Sequence, residues 1–450
     1  MAISASACER QIHELVEKVH AKTGIPGLSV SISIDGVGST ITAGTNSSDG
    51  LIPLSVDSRF QMGCITKLLT SLVAVELMHS SVLNLDSPIG EYLHEFADIP
   101  KGREILVRHL GSHTSGYQGL NIATPESAYF YTWEKFVAFF RDTPQMFTPG
   151  TVFNYEHTEC VLLGEILRRL TRTPPLQLAT ELILDPLRLT VGTIKADIRD
   201  PLIRVADSAP HGENGGFKEL RSVPYCDFWT ASLSSTTIST SDLAKLGEAL
   251  IGLRHSRLGN RTLEHVRTPL VHVPQQAGGP RSEKMPRAFG FGSAQYGGAL
   301  FGHNGSARGQ TCGFRYDPVL RAVIVVALNS WQPYVRDFLI KQIAEHIAPS
   351  VSALESACLV EDWSWSELEG SYASCVHGVS LVSSRDGDQL TCEIVNKSIG
   401  ATATMTLSRD PQGTLVVQSS AQHLSVGLFH DAASGAPCMM VGLNAFRKVS

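Results

Sequence analysis

The stretch Ser58-Arg59-Phe60-Gln61-Met62-Gly63-Cys64-Ile65-Thr66-Lys67-Leu68-Leu69-Thr70 decides how this chain is read. It leads into a run, Cys64 to Met78, that is apolar nearly all round, with Leu68, Leu69, Leu72, Val73, Val75, Leu77 and Met78. A helix without a polar face is predicted to lie buried among other elements. At its start stands a cysteine, and Lys67 follows one turn on along the same face. The helix N-terminus supplies partial positive charge and free N–H groups, and the ammonium adds to both. Each favours thiolate over thiol at Cys64. A thiolate so placed is a competent nucleophile. For an isolated C-x-x-K, an inert buried cysteine beside a snorkelling lysine is the competing reading.

Upstream of this segment, Ser6 and Glu9 form a capping-box pattern, and Ile12, Leu15, Val16 and Val19 follow at helical spacing. Leu28, Val30, Ile32 and Ile34 then alternate with serines, which predicts a half-buried strand. Asp35-Gly36 signals a hairpin into a second strand over Thr40 to Ala43. Downstream, Leu163, Ile166, Leu167 and Leu170 mark another helix. Residues 199 to 224 and 270 to 288 are rich in Gly, Pro and polar residues and read as long loops. Thr311 to Tyr316 and Ala322 to Asn329 read as adjacent strands, followed by a helix over Val335 to Ile347. From Gly370 onward short strands recur between turns at Asp386-Gly387, Pro411-Gln412-Gly413 and Ser434-Gly435. Strands at both ends of the first 350 residues, with helices between, predict one antiparallel sheet carrying a helical subdomain. The expected fold class is α+β. Its parts are a main domain over residues 1–350, a linker over 351–366 and a small antiparallel β-barrel over 367–450.

The chain has 450 residues, a formal net charge of −6 and 18% charged residues. With no basic cluster, nucleic acid and anionic membrane are not expected partners. No run of 18 apolar residues suggests a transmembrane helix, and the N-terminus lacks the pattern of a secretory signal. The nine cysteines are scattered, odd in number and without CxxC or Cys/His metal spacing. They read as reduced thiols of a cytoplasmic protein that needs no metal or cofactor.

Further motifs fall in a fixed order. They are Leu85-Asp86-Ser87-Pro88-Ile89 with Tyr92-Leu93, then Val107-Arg108-His109-Leu110-Gly111-Ser112-His113-Thr114-Ser115-Gly116. Next come Pro149-Gly150 through Tyr155-Glu156-His157 to Leu162-Leu163-Gly164, and Gly302-His303-Asn304-Gly305. Together with the Cys64 segment they resemble the serine β-lactamase and penicillin-binding-protein superfamily, in its class C β-lactamase, esterase and D-aminopeptidase branch. Leu368-Glu369-Gly370-Ser371-Tyr372 resembles the start of the lipocalin-like domain that some members carry. Two positions depart from the pattern. Cys64 stands where the superfamily has its nucleophilic serine, and His157 stands where its Y-x-N motif has asparagine.

The resemblance implies roles by position. Cys64 is the nucleophile, and Lys67 stabilises the thiolate or relays its proton. Tyr155 is the general acid to the leaving group, and His303 polarises Tyr155 or a substrate carbonyl. His157 is an added acid/base group or a substrate ligand. The backbone N–H groups of Cys64 and Ser306 form the oxyanion hole, and Gly305 allows close approach of the acyl group. Tyr225 and Trp229, in a long loop, are candidates to line an acyl pocket. His113, Tyr117, Trp133, Cys160 and Cys312 read as structural. The expected activity is acyl transfer through a Cys64 acyl-thioenzyme. The donor is a small molecule or a carrier-protein-bound (thio)ester, and the protein serves as acyltransferase, cyclase or hydrolase in secondary metabolism. Two rivals stand beside it: a non-catalytic binding scaffold, and a cyclase using Cys/His/Tyr acid–base chemistry without an acyl-enzyme.

Overall fold

The computed structural model describes residues 5–46, 52–119, 132–193, 208–211, 216–219, 236–274, 288–307, 309–347, 363–375, 379–397, 401–409, 415–419, 426–441 and 444–450. The chain divides into two compact units. One comprises Met1–Ser80, Thr171–Arg267 and Gly292–Leu354; the other comprises Ser81–Leu170, Thr268–Phe291 and Glu355–Ser450.

The first unit is built on an antiparallel sheet assembled from both ends of its sequence, as the strand pattern implies. In spatial order its strands are Val37–Gly44, Gly27–Ile34, Ala322–Leu328, Gln310–Asp317, Leu300–Ala307 and Ala294–Gly297. Leu28 pairs with Leu328 and Ile32 with Ile324, so two segments about 300 residues apart are zipped in register. The Asp35-Gly36 turn has positive φ at both residues, 51° and 82°, the twist that suits a two-residue hairpin. The helices Ala5–Thr23 and Pro333–Ile347 cover one face. Ile12, Val16, Leu28, Val30, Val326, Leu339 and Ile343 form one apolar cluster there.

One expectation needs correction. The Gly27–Ile34 strand is not half-exposed; Ser29, Ser31 and Ser33 are buried as well. The helix Thr240–Leu250 packs on the serine face, and its polar groups satisfy the hydroxyls. Ser29 and Ser31 meet Thr240 Oγ1 at 2.7 and 2.8 Å, and Ser33 donates to Glu248 at 2.7 Å. Alternation here separates an apolar face from a hydrogen-bonded one, not core from water. A second correction falls within 199–224, where Ser208–His211 and Gly216–Glu219 pair as a hairpin.

The central helix spans Thr66–His79 and is buried from Thr66 to Val75. Burying each such leucine contributes roughly 1.5–3 kcal/mol relative to exposure. This anchors the helix start that carries Cys64.

In the second unit the helices Trp133–Asp142 and Thr158–Thr171 accompany two short strands, Val271–His272 and Ala288–Phe289. Its remainder is the expected C-terminal barrel, eight antiparallel strands from Gly370–Ser374 to Asn444–Lys448 in a nearly closed sheet. Leu381, Leu390, Cys392, Met405, Leu407 and Phe446 fill its interior. A short helix, Trp365–Leu368, capped by Ser364 and Glu367, occupies the end of the stretch read as linker. It buries Trp365 and Leu368 in the barrel core. Residues 348–362 and the Pro411-Gln412-Gly413 turn lie outside the described residues.

Candidate active site

The strand Arg59–Gln61 runs into a single 3-10 turn, Gly63–Ile65, that continues as the central helix. Gly63 has φ +53°, and a Cβ there would overlap the backbone of Ser306. Across the same junction, a Cβ on Gly305 would overlap the carbonyl oxygen of Met62 and lie 3.3 Å from the Cys64 nitrogen. Two glycines therefore let two backbones touch. The contact brings the N–H-bearing segment of Cys64 against that of Gly305-Ser306, the two sources of the expected oxyanion hole. Gln61 N donates to Gln310 Oε1 at 2.9 Å and Met62 N to Thr236 O at 3.0 Å, which fixes the approach.

Cys64 is half-buried, and Lys67, one turn along, is only 2% exposed. A lysine so deeply buried is not a snorkelling surface residue. His303 is buried on the strand Leu300–Ala307, two residues before Gly305. It therefore shares the sheet face that Gly305 turns toward Cys64. Its backbone carbonyl accepts from the buried guanidinium of Arg315 at 3.3 Å. Among the described residues no group of His, Cys, Asp and Glu has the arrangement of a metal site.

Tyr155 and His157 belong to the second unit, half-buried on the turn that enters the helix Thr158–Thr171. Their rings meet edge-on, 5.8 Å apart. The His113 ring lies 4.5 Å from that of Tyr155. His113 adopts φ +56° and is tied through Nδ1 to Glu159 at 2.6 Å, the structural role expected of it. Tyr117 is core, 1% exposed. Cys160 is buried too, as is Cys312, whose thiol burial pushes up to about 12. Tyr225 and Trp229 lie outside the described residues.

Sequence reasoning missed two sets of residues around Tyr155. The first is the barrel's last strand. Asn444 Nδ2 donates to the Tyr155 carbonyl at 3.0 Å, and Ala445 N donates to Asn154 Oδ1 at 3.0 Å. The second is Glu156 and Glu159, both carboxylates buried beneath the turn. The sequence signal was present, because Glu156 interrupts the Tyr-x-His motif and Glu159 follows three residues later. Charge alone did not say which way they point.

Comparison with known proteins decides the family. The β-lactamase family model matches residues 12–347. The chain belongs to the β-lactamase family. A β-lactamase of Yersinia enterocolitica is 24% identical over 176 residues, 37% of this chain and 42% of that protein. ML-236A carboxylate methylbutanoyltransferase mlcH of Penicillium citrinum is 29% identical over 190 residues, 37% of this chain and 45% of that one. The chain thus spans less than half the length of these two relatives. In fold, it matches the crystal structure of SurE with a TM-score of 0.78 at 20% identity, covering 99% of both chains. A β-lactamase fold followed by a C-terminal barrel is therefore an architecture seen in a solved structure. No helix among the described residues is long and apolar enough to cross a membrane.

Proposed function

We propose that this β-lactamase-family chain is an acyltransferase that works through a thioester on Cys64, with a small-molecule or carrier-bound thioester or activated ester as donor. The observation that carries the reading is the Gly63/Ser306 and Gly305/Cys64 approach. It sets the backbone of Cys64 against that of Gly305-Ser306 beside a half-buried thiol, the juxtaposition an oxyanion hole needs. Lys67, buried one turn along the helix, supports it. The similarity to a methylbutanoyltransferase favours transfer over hydrolysis.

In this reading the Cys64 thiolate attacks the donor carbonyl carbon. The carbonyl electron pair moves onto oxygen and is held by the N–H groups of Cys64 and Ser306. The intermediate collapses with loss of the donor's thiolate or alkoxide, which takes a proton from Tyr155. An acceptor amine or alcohol then attacks the thioester and expels the Cys64 thiolate, giving its proton to the Tyr155 phenolate directly or through His157, which restores Tyr155. His303 supports the Tyr155 hydroxyl or the carbonyl. A thioester suits this division of labour, since amines attack thioesters in preference to water. Such chemistry fits a cytoplasmic enzyme of secondary metabolism.

Intact-protein mass spectrometry after mixing with acyl thioesters of graded chain length tests it. The expected result is a mass gain of one acyl group, mapped to Cys64 and absent in Cys64→Ala. No adduct with any donor points to a binding scaffold. Turnover that survives Cys64→Ala points to acid–base chemistry on Tyr155 and His157.

A further inference from the structure

The turn that presents Tyr155 and His157 is held by a side chain pointing the other way. Glu156 is 3% exposed, and its carboxyl lies over the start of the helix Thr158–Thr171. Thr158 N donates to Oε2 at 2.8 Å, and Glu159 N donates to Oε1 at 2.6 Å. The Tyr117 hydroxyl reaches Oε1 at 3.0 Å, and Thr158 Oγ1 bonds Oε2. Tyr117 Oη and Thr158 Oγ1 also bond each other. Carboxyl, threonine and tyrosine therefore form a closed ring of three oxygen-to-oxygen contacts.

Proton counting separates the charge states of that ring. With Glu156 ionised, two hydroxyl protons must serve three contacts, and one pair of oxygens faces with no proton between. With Glu156 protonated there are three protons for three contacts. Oε2–H donates to Thr158 Oγ1, Thr158 Oγ1–H to Tyr117 Oη, and Tyr117 Oη–H to Oε1. Glu159 N still donates to the carbonyl-type Oε1, and Thr158 N is left with the weaker acceptor Oε2.

The neighbours argue the same way. Glu159, buried beside it, accepts from Ser115 N at 3.0 Å and from Ser115 Oγ, and it pairs with His113 Nδ1 at 2.6 Å, an imidazole able to balance its charge, whereas Glu156 has no such partner among the described residues. From the barrel, the buried Cys375 thiol lies within electrostatic range of both carboxylates and of the Arg447 cation. No Lys or Arg side chain bonds Glu156 among the described residues. Two like charges in one dry site repel, and one of the carboxyls therefore holds its proton to higher pH than a solvated one. Burial, followed by the Glu159 charge, raises the Glu156 carboxyl to about 7.

We propose that Glu156 is a positioning residue whose protonated carboxyl closes the ring that fixes the Tyr155–His157 turn, and whose ionisation, as pH rises, opens it. The consequence for turnover rests on the acyl-transfer reading, whereas the effect on the turn does not.

Hydrogen–deuterium exchange of the peptide spanning residues 153–161 reads the turn without a substrate. It is compared in wild type, Glu156→Gln and Glu159→Gln from about pH 5.5 to about 8.5. The amide of Glu156→Gln keeps a donor and an acceptor for the ring but cannot ionise. The expected ratio of wild-type to Glu156→Gln exchange is near unity at the acid end and rises severalfold through neutrality. In Glu159→Gln the rise moves to lower pH only if Glu156 still titrates there, because the removed like charge no longer holds its proton. A ratio that stays flat overturns the proposal, as does a Glu159→Gln variant whose rise moves to higher pH. Turnover of a common donor is the second reading, and the alkaline limb of wild type is expected to flatten in Glu156→Gln. If exchange responds and turnover does not, the ring does not position catalysis. If wild type turns over no donor at all, the acyl-transfer reading fails while the exchange result still decides the turn.

Discussion

Asn444 donates its side-chain amide to the backbone carbonyl of Tyr155 at 3.0 Å, across 289 residues of sequence. One residue on, Ala445 N reaches Asn154 Oδ1. Gly119 N and Gln118 Nε2 donate to the carbonyls of Cys375 and Ser374 at the barrel's first strand, and Arg447 Nη1 donates to Met146 O at 2.8 Å. The barrel therefore grips the segment before and around the Tyr155 turn. Asn444→Ala removes a bond worth about 0.5–1.5 kcal/mol. It is expected to lower thermal stability slightly and turnover by up to roughly tenfold, since 1.4 kcal/mol is a factor of ten. Thermal denaturation and turnover of one donor check this. Unchanged values for both would show that the bond does not hold the turn.

The parts of the fold that could be read from sequence are those where one local pattern has one structural solution. The Asp35-Gly36 hairpin, the apolar central helix and the strand pair Gln310–Asp317 and Ala322–Leu328 are of this kind. The serine face of Gly27–Ile34 was not legible, because its partners Thr240 and Glu248 stand more than 200 residues away. The same holds at the site. Gly63, Cys64, Lys67, Gly305 and Ser306 were visible as motif, and the structure draws them together within one unit. Glu156 was not, because a glutamate in a sequence reads as solvated until its buried neighbours are known. Asn444 sits in an ordinary strand, and nothing local marks the carbonyl it meets.

Cys64 is half-buried, whereas Cys160, Cys312, Cys375, Cys392 and Cys438 are buried. Burial raises the thiols of the last four. Cys64 also stands in the turn that opens the central helix, one turn from Lys67. It is therefore expected to alkylate with iodoacetamide near pH 7 faster than these five. Peptide mapping after brief labelling measures the order. Labelling of Cys64 no faster than the other five removes the activated-nucleophile reading.

His109 gives the protein an acid-sensitive element. Burial, and then the Arg108 charge, lowers its imidazole to about 4. Its Nδ1 accepts from Leu106 N at 3.1 Å, which requires the unprotonated ring nitrogen. In the unfolded chain the same group titrates near about 6.5. Because the folded value is the lower one, the contribution is complete above the unfolded value. It is lost as pH falls toward the folded value. Melting temperatures of wild type and His109→Gln, compared near pH 7 and near pH 4.5, are expected to converge at the acid end. A constant difference between the two proteins contradicts the assignment.

The substitution of cysteine for serine in the nucleophile motif has a consequence that the two residues test separately. A serine ester needs strong base help to form and to break, whereas a thioester forms readily from thioester donors and reacts preferentially with amines. In the proposed reading the sulfur is the attacking atom, and a less nucleophilic neutral hydroxyl in its place serves the site poorly. Cys64→Ser is accordingly expected to lose most turnover even though it restores the family pattern, and Cys64→Ala to lose acyl transfer entirely. His157→Asn restores the pattern at the other departure. As the loss of a general acid/base it is expected to lower the rate by roughly 10²–10⁴-fold with the fold intact. Turnover of all three on a common donor, with circular dichroism to confirm folding, is the measurement. Wild-type turnover by Cys64→Ala would falsify covalent catalysis and leave the chemistry to Tyr155 and His157. Wild-type turnover by Cys64→Ser would mean that the hydroxyl is activated as well as the thiolate. Lys67 would then act as a proton acceptor rather than as a counter-charge to a thiolate already formed.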